Sequence, residues 1–262
     1  MIPELFVQEW KAHAPWPTDA MVELDLIICR SLVAIFSHPV LSRQLTFRGG
    51  TALHKLHLAP PSRYSEDIDL VQAEAGPIGP VFDALKECLD GFLGKPKRKQ
   101  GPGVVTLGYR VPATDPSSPG LKLKVEINSR EHFRVLEPTT KRLAVDSRWF
   151  SGSCEIPTFE IEELLGTKLR ALYQRRKGRD IFDLWLGLTR GRAQPGRIAE
   201  CFRRYMSFGG LRVSGPEFRI NMEGKLSHPD FVHDMDGLLR PGTEFDLRAA
   251  YELVDREILS AL

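Results

Sequence analysis

Two aspartates carry the strongest chemical signal in the chain. Asp67 and Asp69 lie two residues apart in the segment RYSEDIDL at 63–70. Alternate residues of a β-strand point to one face, so the two carboxylates are expected to aim together. Like charges held side by side repel, and a divalent cation offsets that repulsion. Mg²⁺ typically binds one or two carboxylates together with substrate phosphates. The pair therefore indicates a metal site that acts on a phosphorylated substrate.

A pair of glycines precedes the aspartates. Gly49 and Gly50 open a predicted short helix. Glycine lets backbone N–H groups come close to a ligand, and the N-terminus of a helix attracts phosphate. Either motif alone has an ordinary explanation, because Gly-Gly is typical of turns and a single D-x-D is common at strand ends. In this order, however, the two motifs indicate nucleotidyl transfer from a nucleoside triphosphate.

Four more charged residues are candidates for the same chemistry. Two metal ions acting on one phosphate need a further carboxylate, and Glu126 lies on the polar side of a predicted strand, where an ordinary solvent-facing role is the alternative. Lys168 interrupts an apolar helical face, where it would either meet a triphosphate or extend to solvent. Asp180 and Asp183 share a face of the next helix. Asp180 suits the first helical turn, whereas Asp183 lies too deep in the helix for that role.

Other catalytic and metal-binding motifs are missing from the sequence. It contains no G-x-x-x-x-G-K-[ST], no H-E-x-x-H and no G-x-S-x-G. His54 and His57 lie three residues apart without a third soft ligand, which favours a structural or solvated role. The four cysteines form no C-x-x-C pair. Their spacing argues against a zinc site or a disulfide framework and fits the reduced thiols of a cytosol.

Composition places the chain among globular proteins. Its 262 residues are 42% hydrophobic and 27% charged, enough for one large domain or two smaller ones. The net charge of +2 does not indicate nucleic acid, but two basic clusters are candidate phosphate-binding patches or solvated faces. They comprise Lys95, Lys97, Arg98 and Lys99, and Arg170, Arg175, Arg176, Lys177 and Arg179. Without a signal peptide or a long apolar stretch, a cytoplasmic protein with no membrane partner is expected.

The hydrophobic pattern predicts the elements that position these residues. Predicted helices span about 18–38, 51–58, 80–93, 160–177, 179–189, 198–205 and 248–262, and predicted strands span 45–48, 67–71, 104–111 and 121–128. The last two strands are expected to form an antiparallel hairpin. A break is predicted between 147 and 158, and loops over 208–233. This order predicts an α/β (α+β) chain, with a mixed sheet in a domain at 1–150 and a mainly helical domain at 151–262.

The same motifs resemble a known family. The segments GGTALHK at 49–55 and RYSEDIDL at 63–70 are similar to the first motif of the AbiEii/AbiGii nucleotidyltransferase-like toxins, and EELLGTKLRAL at 162–172 and RDIFDL at 179–184 are similar to its later motifs. The resemblance covers about 45–188. It implies a DNA polymerase β-like nucleotidyltransferase fold and a MenT-like toxin of a type IV toxin–antitoxin or abortive-infection system.

The resemblance also implies a role for each matched residue. The triphosphate would be held by Gly49 and Gly50, with Thr51 and Ser65. The metal, Mg²⁺ or Mn²⁺, would be bound by Asp67, Asp69 and Glu126. Lys168 would contact nucleotide phosphates, and Asp183, with Asp180 close by, would be the later essential acid. Polymerase-like enzymes have Gly-Ser where this chain has two glycines, which removes one hydroxyl that could reach phosphate.

Several members of the family transfer nucleotides to the 3′ end of tRNA. The resemblance therefore implies NTP as substrate, tRNA as the acceptor RNA, a block of translation and a possible cognate antitoxin. Three alternatives stay open: nucleotidylation of a protein, modification of a small molecule such as an antibiotic, and a non-catalytic nucleotide-binding module.

Overall fold

A seven-stranded mixed sheet carries the Asp67 motif. The computed structural model describes residues 2–262. Its strands are β1 (Leu45–Arg48), β2 (Asp67–Gln72), β3 (Lys97–Gly101), β4 (Val104–Val111), β5 (Leu121–Asn128), β6 (Thr139–Asp146) and β7 (Ser151–Thr158). They lie in the order β3-β4-β5-β2-β1-β7-β6. The β2–β5 and β1–β7 pairs are parallel and the other neighbours are antiparallel, so the sheet is mixed as predicted.

The α-helices of the described chain lie before, between and after the strands in sequence. They are α1 (Glu4–Trp10), α2 (Asp19–Ser37), α3 (Pro39–Gln44), α4 (Gly49–Ala52), α5 (Gly79–Leu93), α6 (Ile161–Gln174), α7 (Gly178–Thr189), α8 (Pro195–Phe208), α9 (Gly215–Leu226), α10 (Pro229–Val232) and α11 (Leu247–Glu257). A π-helical turn, Leu53–His57, continues α4, and a 3₁₀ turn, Leu259–Ala261, follows α11. Over residues 2–262, no helix combines the length and the apolar character that crossing a membrane requires.

The chain divides into two compact units. The first comprises the chain up to Phe133 together with Pro138–Thr158, and so holds the whole sheet and α1–α5. The second comprises Arg134–Glu137 and Phe159–Leu262, with α6–α11. The division into domains at 1–150 and 151–262 that the sequence suggests stays a prediction.

The two faces of the sheet differ in chemistry along β4 and β5. Every second residue of these strands is buried, among them Leu107, Tyr109 and Val125. This helix-covered face packs under α5, where the Tyr109 hydroxyl donates to Asp90 at 3.3 Å. The intervening residues form the polar face, defined by Thr106, Gly108, Arg110, Lys122, Lys124 and Glu126. Alternation with period two therefore places the polar and charged side chains of β5 on one side of the sheet.

Two predictions about the chain were wrong. The segment expected to be a break at 147–158 contains β7, which pairs with β6 and with β1. The region expected to be looped at 208–233 contains α9 and α10. Helix α9 begins with a capping box, in which Ser214 and Glu217 satisfy each other's backbone N–H groups.

In the second unit, a buried carboxylate fixes a short stretch of chain. Glu163 on α6 is fully buried. It accepts hydrogen bonds from the backbone N–H groups of Val135 and Leu136 at 2.8 and 2.9 Å, and from the Tyr205 hydroxyl at 2.8 Å. These bonds tie the segment Arg134–Glu137 to α6.

Candidate active site

Strand register brings the predicted carboxylates together in the first unit. Asp69 on β2 lies opposite Glu126 on β5 and opposite Arg48 on β1, and Asp67 lies opposite Lys124. Residues paired across neighbouring strands share a face of the sheet. Glu126 is therefore placed beside the aspartate pair, at the position where a further metal ligand was expected.

A lysine stands among these acids. The Lys124 ammonium lies 3.3 Å from Asp67 Oδ2 and 3.4 Å from Glu126 Oε2. Its side chain is 42% exposed, so the pairs are screened and each adds little to stability. This contact was not predicted from the sequence, although the alternation of β5 places Lys124 and Glu126 on one face.

The electrostatics of Asp69 show uncompensated negative charge. Desolvation raises the pKa of Asp69, and the neighbouring Asp67 and Glu126 carboxylates raise it further, while Arg48 and Lys124 oppose the shift. Since the net direction is upward, the two cations do not fully offset the burial and repulsion. An additional cation at this position would therefore be favoured.

The residues present fit a divalent metal by their chemistry. Over residues 2–262, no three His, Cys, Asp or Glu side chains are already arranged as a metal site. Asp67, Asp69 and Glu126 nevertheless supply the hard oxygen donors that Mg²⁺ and Mn²⁺ prefer. Lys124 would move aside, which its exposure and four-carbon stem permit.

Gly49 is required by the geometry of this site. It opens α4 with a φ of +81°, a conformation that glycine adopts without strain. A Cβ built on Gly49 would lie 2.1 Å from Asp69 Oδ2. The glycine therefore lets the backbone at the start of α4 approach the Asp69 carboxylate directly.

We expect Gly49→Ala to lower nucleotidyl transfer by about 100-fold, because displacing a catalytic group by about 1 Å costs that much. The left-handed backbone adds a cost of about 1–2 kcal/mol in stability. Gly91→Ala is the matched control, because a Cβ there meets nothing within 4 Å and Gly91 lies on α5. That control should keep full activity and gain about 1 kcal/mol. Initial rates and urea unfolding curves measure both effects, and equal activity of the two variants would contradict the expectation.

Two hydroxyls join the start of β2 to α4. The buried Thr51 hydroxyl donates to the backbone carbonyl of Asp67 at 2.5 Å and lies 2.9 Å from the Ser65 hydroxyl. Thr51 and Ser65 thus help to position Asp67. Contacts of these hydroxyls, or of Gly50, with a nucleotide stay predictions.

Lys168, Asp180 and Asp183 come together in the second unit. The Lys168 ammonium on α6 lies 2.9 Å from Asp183 Oδ2 and 3.3 Å from Asp180 Oδ1, both on α7. Arg175 adds a two-pronged contact to Asp180, with both N···O distances at 2.7 Å. Both aspartates are fully buried. Asp180 lies in the first turn of α7, as predicted. Its carboxylate also pairs with both the Lys168 ammonium and the Arg175 guanidinium.

This arrangement bears on the second basic cluster. Arg175 pairs with Asp180, and Arg179 and Lys177 pair with Asp234 at 3.1 and 3.4 Å. The Asp234 side chain is 4% exposed. An acid 55 residues away in the sequence leaves no local signal. Much of the positive charge at 170–179 is therefore used within the second unit.

Comparisons with known proteins agree with this fold. The family described as Nucleotidyl transferase AbiEii toxin, Type IV TA system matches residues 30–253. JHP933 of Helicobacter pylori is similar in structure, with 19% identity, coverage of 90% of each chain and a TM-score of 0.57. MenT4, a nucleotidyltransferase toxin of Mycobacterium tuberculosis H37Rv, has 17% identity and a TM-score of 0.55, covering 100% of this chain and 91% of its own. No sequence among the curated proteins matches significantly.

Proposed function

Because the chain belongs to the AbiEii family of nucleotidyl transferase toxins of type IV toxin–antitoxin systems, we propose that it transfers an NMP group from an NTP to the 3′ end of RNA. The proposed acceptor is tRNA, and the consequence is a block of translation. Metal dependence, with Mg²⁺ or Mn²⁺, is part of the proposal, as is a cognate antitoxin for this toxin. The observation that carries it is the alignment of Asp69 with Glu126 across β2 and β5, with Asp67 on the same face.

The proposed reaction is an in-line displacement at the α-phosphorus. The acceptor's 3′ oxygen forms a new P–O bond, the bond between the α-phosphorus and the bridging oxygen breaks, and pyrophosphate leaves with that oxygen. The hydroxyl proton passes to a base or to solvent. A bound divalent metal would lower the pKa of the attacking hydroxyl and neutralise triphosphate charge. Asp67, Asp69 and Glu126 would hold it, and Gly49 leaves the room that Asp69 needs.

Two further roles in the proposal rest on resemblance of motifs. Lys168 would contact nucleotide phosphates, and Asp183 would be the later essential acid, with Asp180 beside it. The ion pairs of Lys168 with both aspartates are compatible with either a phosphate-binding or a structural role.

Label transfer tests the proposal. The protein is incubated with purified tRNA, Mg²⁺ and each α-³²P-labelled NTP in turn, with EDTA and Asp67→Ala as controls. We expect one or more NTPs to label the tRNA, and both controls to abolish the label. No transfer from any NTP, or undiminished transfer by Asp67→Ala, would overturn it.

The same label-transfer assay, supplied with candidate acceptors of each kind, discriminates the alternatives. Label that survives RNase but not protease would identify a protein acceptor, and label on an aminoglycoside would identify a small-molecule transferase. A non-catalytic module would release no pyrophosphate, and Asp67→Ala would then leave its toxicity in cells unchanged.

A further inference from the structure

Beyond the carboxylates, the polar face of β4 and β5 continues onto β3 and carries a set of cationic side chains. In the strand register, Asp67 is followed across the sheet by Lys124, Gly108 and Lys97, and Asp69 is followed by Glu126, Thr106 and Lys99. Each row therefore starts at one aspartate of the pair and ends at one lysine of the edge strand β3. The chemistry proposed for the aspartates makes no use of Lys97 or Lys99.

Charge on this part of the polar face is strongly one-sided. Across β3, β4 and β5 it carries Lys97, Lys99, Arg110, Lys122 and Lys124, against the single acid Glu126. Lys97, Lys99, Arg110 and Lys122 are all exposed. Within the described part of the chain, these four form no salt bridge. Four unpaired cations in one area repel one another, so a polyanion placed over them would be held by all four.

On β4, the residues between the carboxylates and the edge lysines carry small side chains or none. Gly108 has no side chain, and Thr106 has a small one that ends in a hydroxyl. Three strand spacings separate β2 from β3, a distance of about 14 Å. A chain of nucleotides supplies phosphates at successive positions along that distance. A polymer that ends at Asp67 and Asp69 can therefore also contact Lys97 and Lys99.

We propose that the sugar–phosphate backbone of the RNA acceptor, upstream of its 3′ end, runs across β5 and β4 to Lys97 and Lys99. This inference rests on the proposed transfer to RNA and deepens it by assigning the acceptor path. Lysine contacts to phosphates give affinity independent of base sequence. An acidic protein partner fits less well, because protein interfaces centre on apolar and aromatic anchors. The large apolar side chains that are exposed among residues 2–262 lie on α1, α8–α10 and the α8–α9 connection, not on these strands.

The other face of β3 supplies a matched control. Arg98 lies between Lys97 and Lys99 in sequence but pairs with Leu107, and its guanidinium packs 4.2 Å from the centre of the Phe82 ring on α5. Lys86 on α5 is 52% exposed. Removing the charges of Arg98 and Lys86 therefore takes two positive charges from the helix-covered side.

The test compares Lys97→Gln/Lys99→Gln with Arg98→Gln/Lys86→Gln in the full chain, using label transfer to tRNA. We expect the first pair to raise the KM for tRNA by about tenfold, while kcat and the KM for NTP stay within about twofold. The dependence of log KM on log salt concentration should become shallower by about 1.4, because each lost contact to a single strand removes about 0.7. The second pair should behave as the wild-type protein.

Acceptor length gives a second readout. The tenfold effect should disappear with a dinucleotide acceptor, because its single internucleotide phosphate lies beside the reacting end and it lacks the upstream phosphates proposed to contact Lys97 and Lys99. An unchanged KM for tRNA in Lys97→Gln/Lys99→Gln, an equal rise in the Arg98→Gln/Lys86→Gln control, or an effect that persists with the dinucleotide would overturn the proposed path. Each of these results leaves transfer by the wild-type protein intact, whereas absence of that transfer is failure of the proposed function itself.

Discussion

Replacing Asp69 with asparagine is expected to lower nucleotidyl transfer by about three orders of magnitude and, at the same time, to stabilise the metal-free protein. Activity falls because a neutral amide is a much poorer ligand for a divalent cation than a carboxylate. Stability rises because burial, Asp67 and Glu126 disfavour the ionised side chain in the folded state, as the raised pKa of Asp69 shows. Functional sites commonly hold such destabilising charge.

The sign of the pH dependence follows from the same shift. The folded state keeps a proton on Asp69 to higher pH than the unfolded chain does. The stability contributed by this proton is therefore complete at low pH and is lost as the pH rises through the folded-state pKa. Thermal unfolding in EDTA across the acidic range should show this loss in the wild-type protein and a weaker one in Asp69→Asn.

An exposed acid gives the control for both effects. Asp83 on α5 is 80% exposed, so Asp83→Asn should change neither the activity nor the midpoint of thermal unfolding. Full activity of Asp69→Asn would remove the carboxylate from the mechanism. A lower unfolding midpoint of Asp69→Asn in EDTA would show that its charge is well compensated in the folded state.

The largest loss of stability is expected from Asp180→Ala. Asp180 is fully buried and holds both the Lys168 ammonium and the Arg175 guanidinium. Removing one partner of a buried ion pair typically costs 3–5 kcal/mol, because the remaining charge loses its compensation. Urea unfolding should show a loss of about that size, and amide hydrogen exchange should accelerate first in α6 and α7.

Two variants separate charge from packing in that cluster. Asp180→Asn keeps the volume and some hydrogen bonding, so its cost should be smaller than that of Asp180→Ala. Asp236→Ala removes an acid that is 73% exposed in the same unit and should be nearly neutral. Equal stability of Asp180→Ala and Asp236→Ala would mean that the ion pairs of Asp180 contribute nothing net.

The sequence predicted the strands around the acids well, because each has a local signal. The bounds of β1, β4 and β5 agree with the prediction, and the β4–β5 hairpin is confirmed. β7 was missed because Gly152 and Pro157 suggested a loop. Pairing with β1, more than 100 residues earlier, makes it a strand, and Thr158 strengthens that pairing by donating to the Phe47 carbonyl at 2.7 Å. Such a long-range contact has no local signature.

Helix α9 is a different case, because its signal was present. Ser214 and Glu217 have the spacing of a capping box, and Pro216 lies in the first turn, where proline is tolerated. The many glycines and prolines of 208–233 obscured that pattern.

Within the candidate site, the sequence predicted which acids share a face of the sheet, but it did not predict which charged side chains surround them. Asp67, Asp69 and Glu126 could be selected by alternation, since alternation fixes the face of a strand. The placement of Lys124 between two carboxylates depends on the parallel pairing of β2 with β5. The partners of Lys168 similarly depend on how α6 meets α7.

The Glu163 contacts limit how this protein can be cut into pieces. The chain passes from one unit to the other after Phe133, after Glu137 and after Thr158, so no single cleavage point separates the units. A fragment that starts at Phe159 would lack Val135 and Leu136, and Glu163 would lose two of its three donors. Because a buried carboxylate without donors is costly, fragment studies of the second unit need the peptide 134–137 supplied in trans or fused through a new linker.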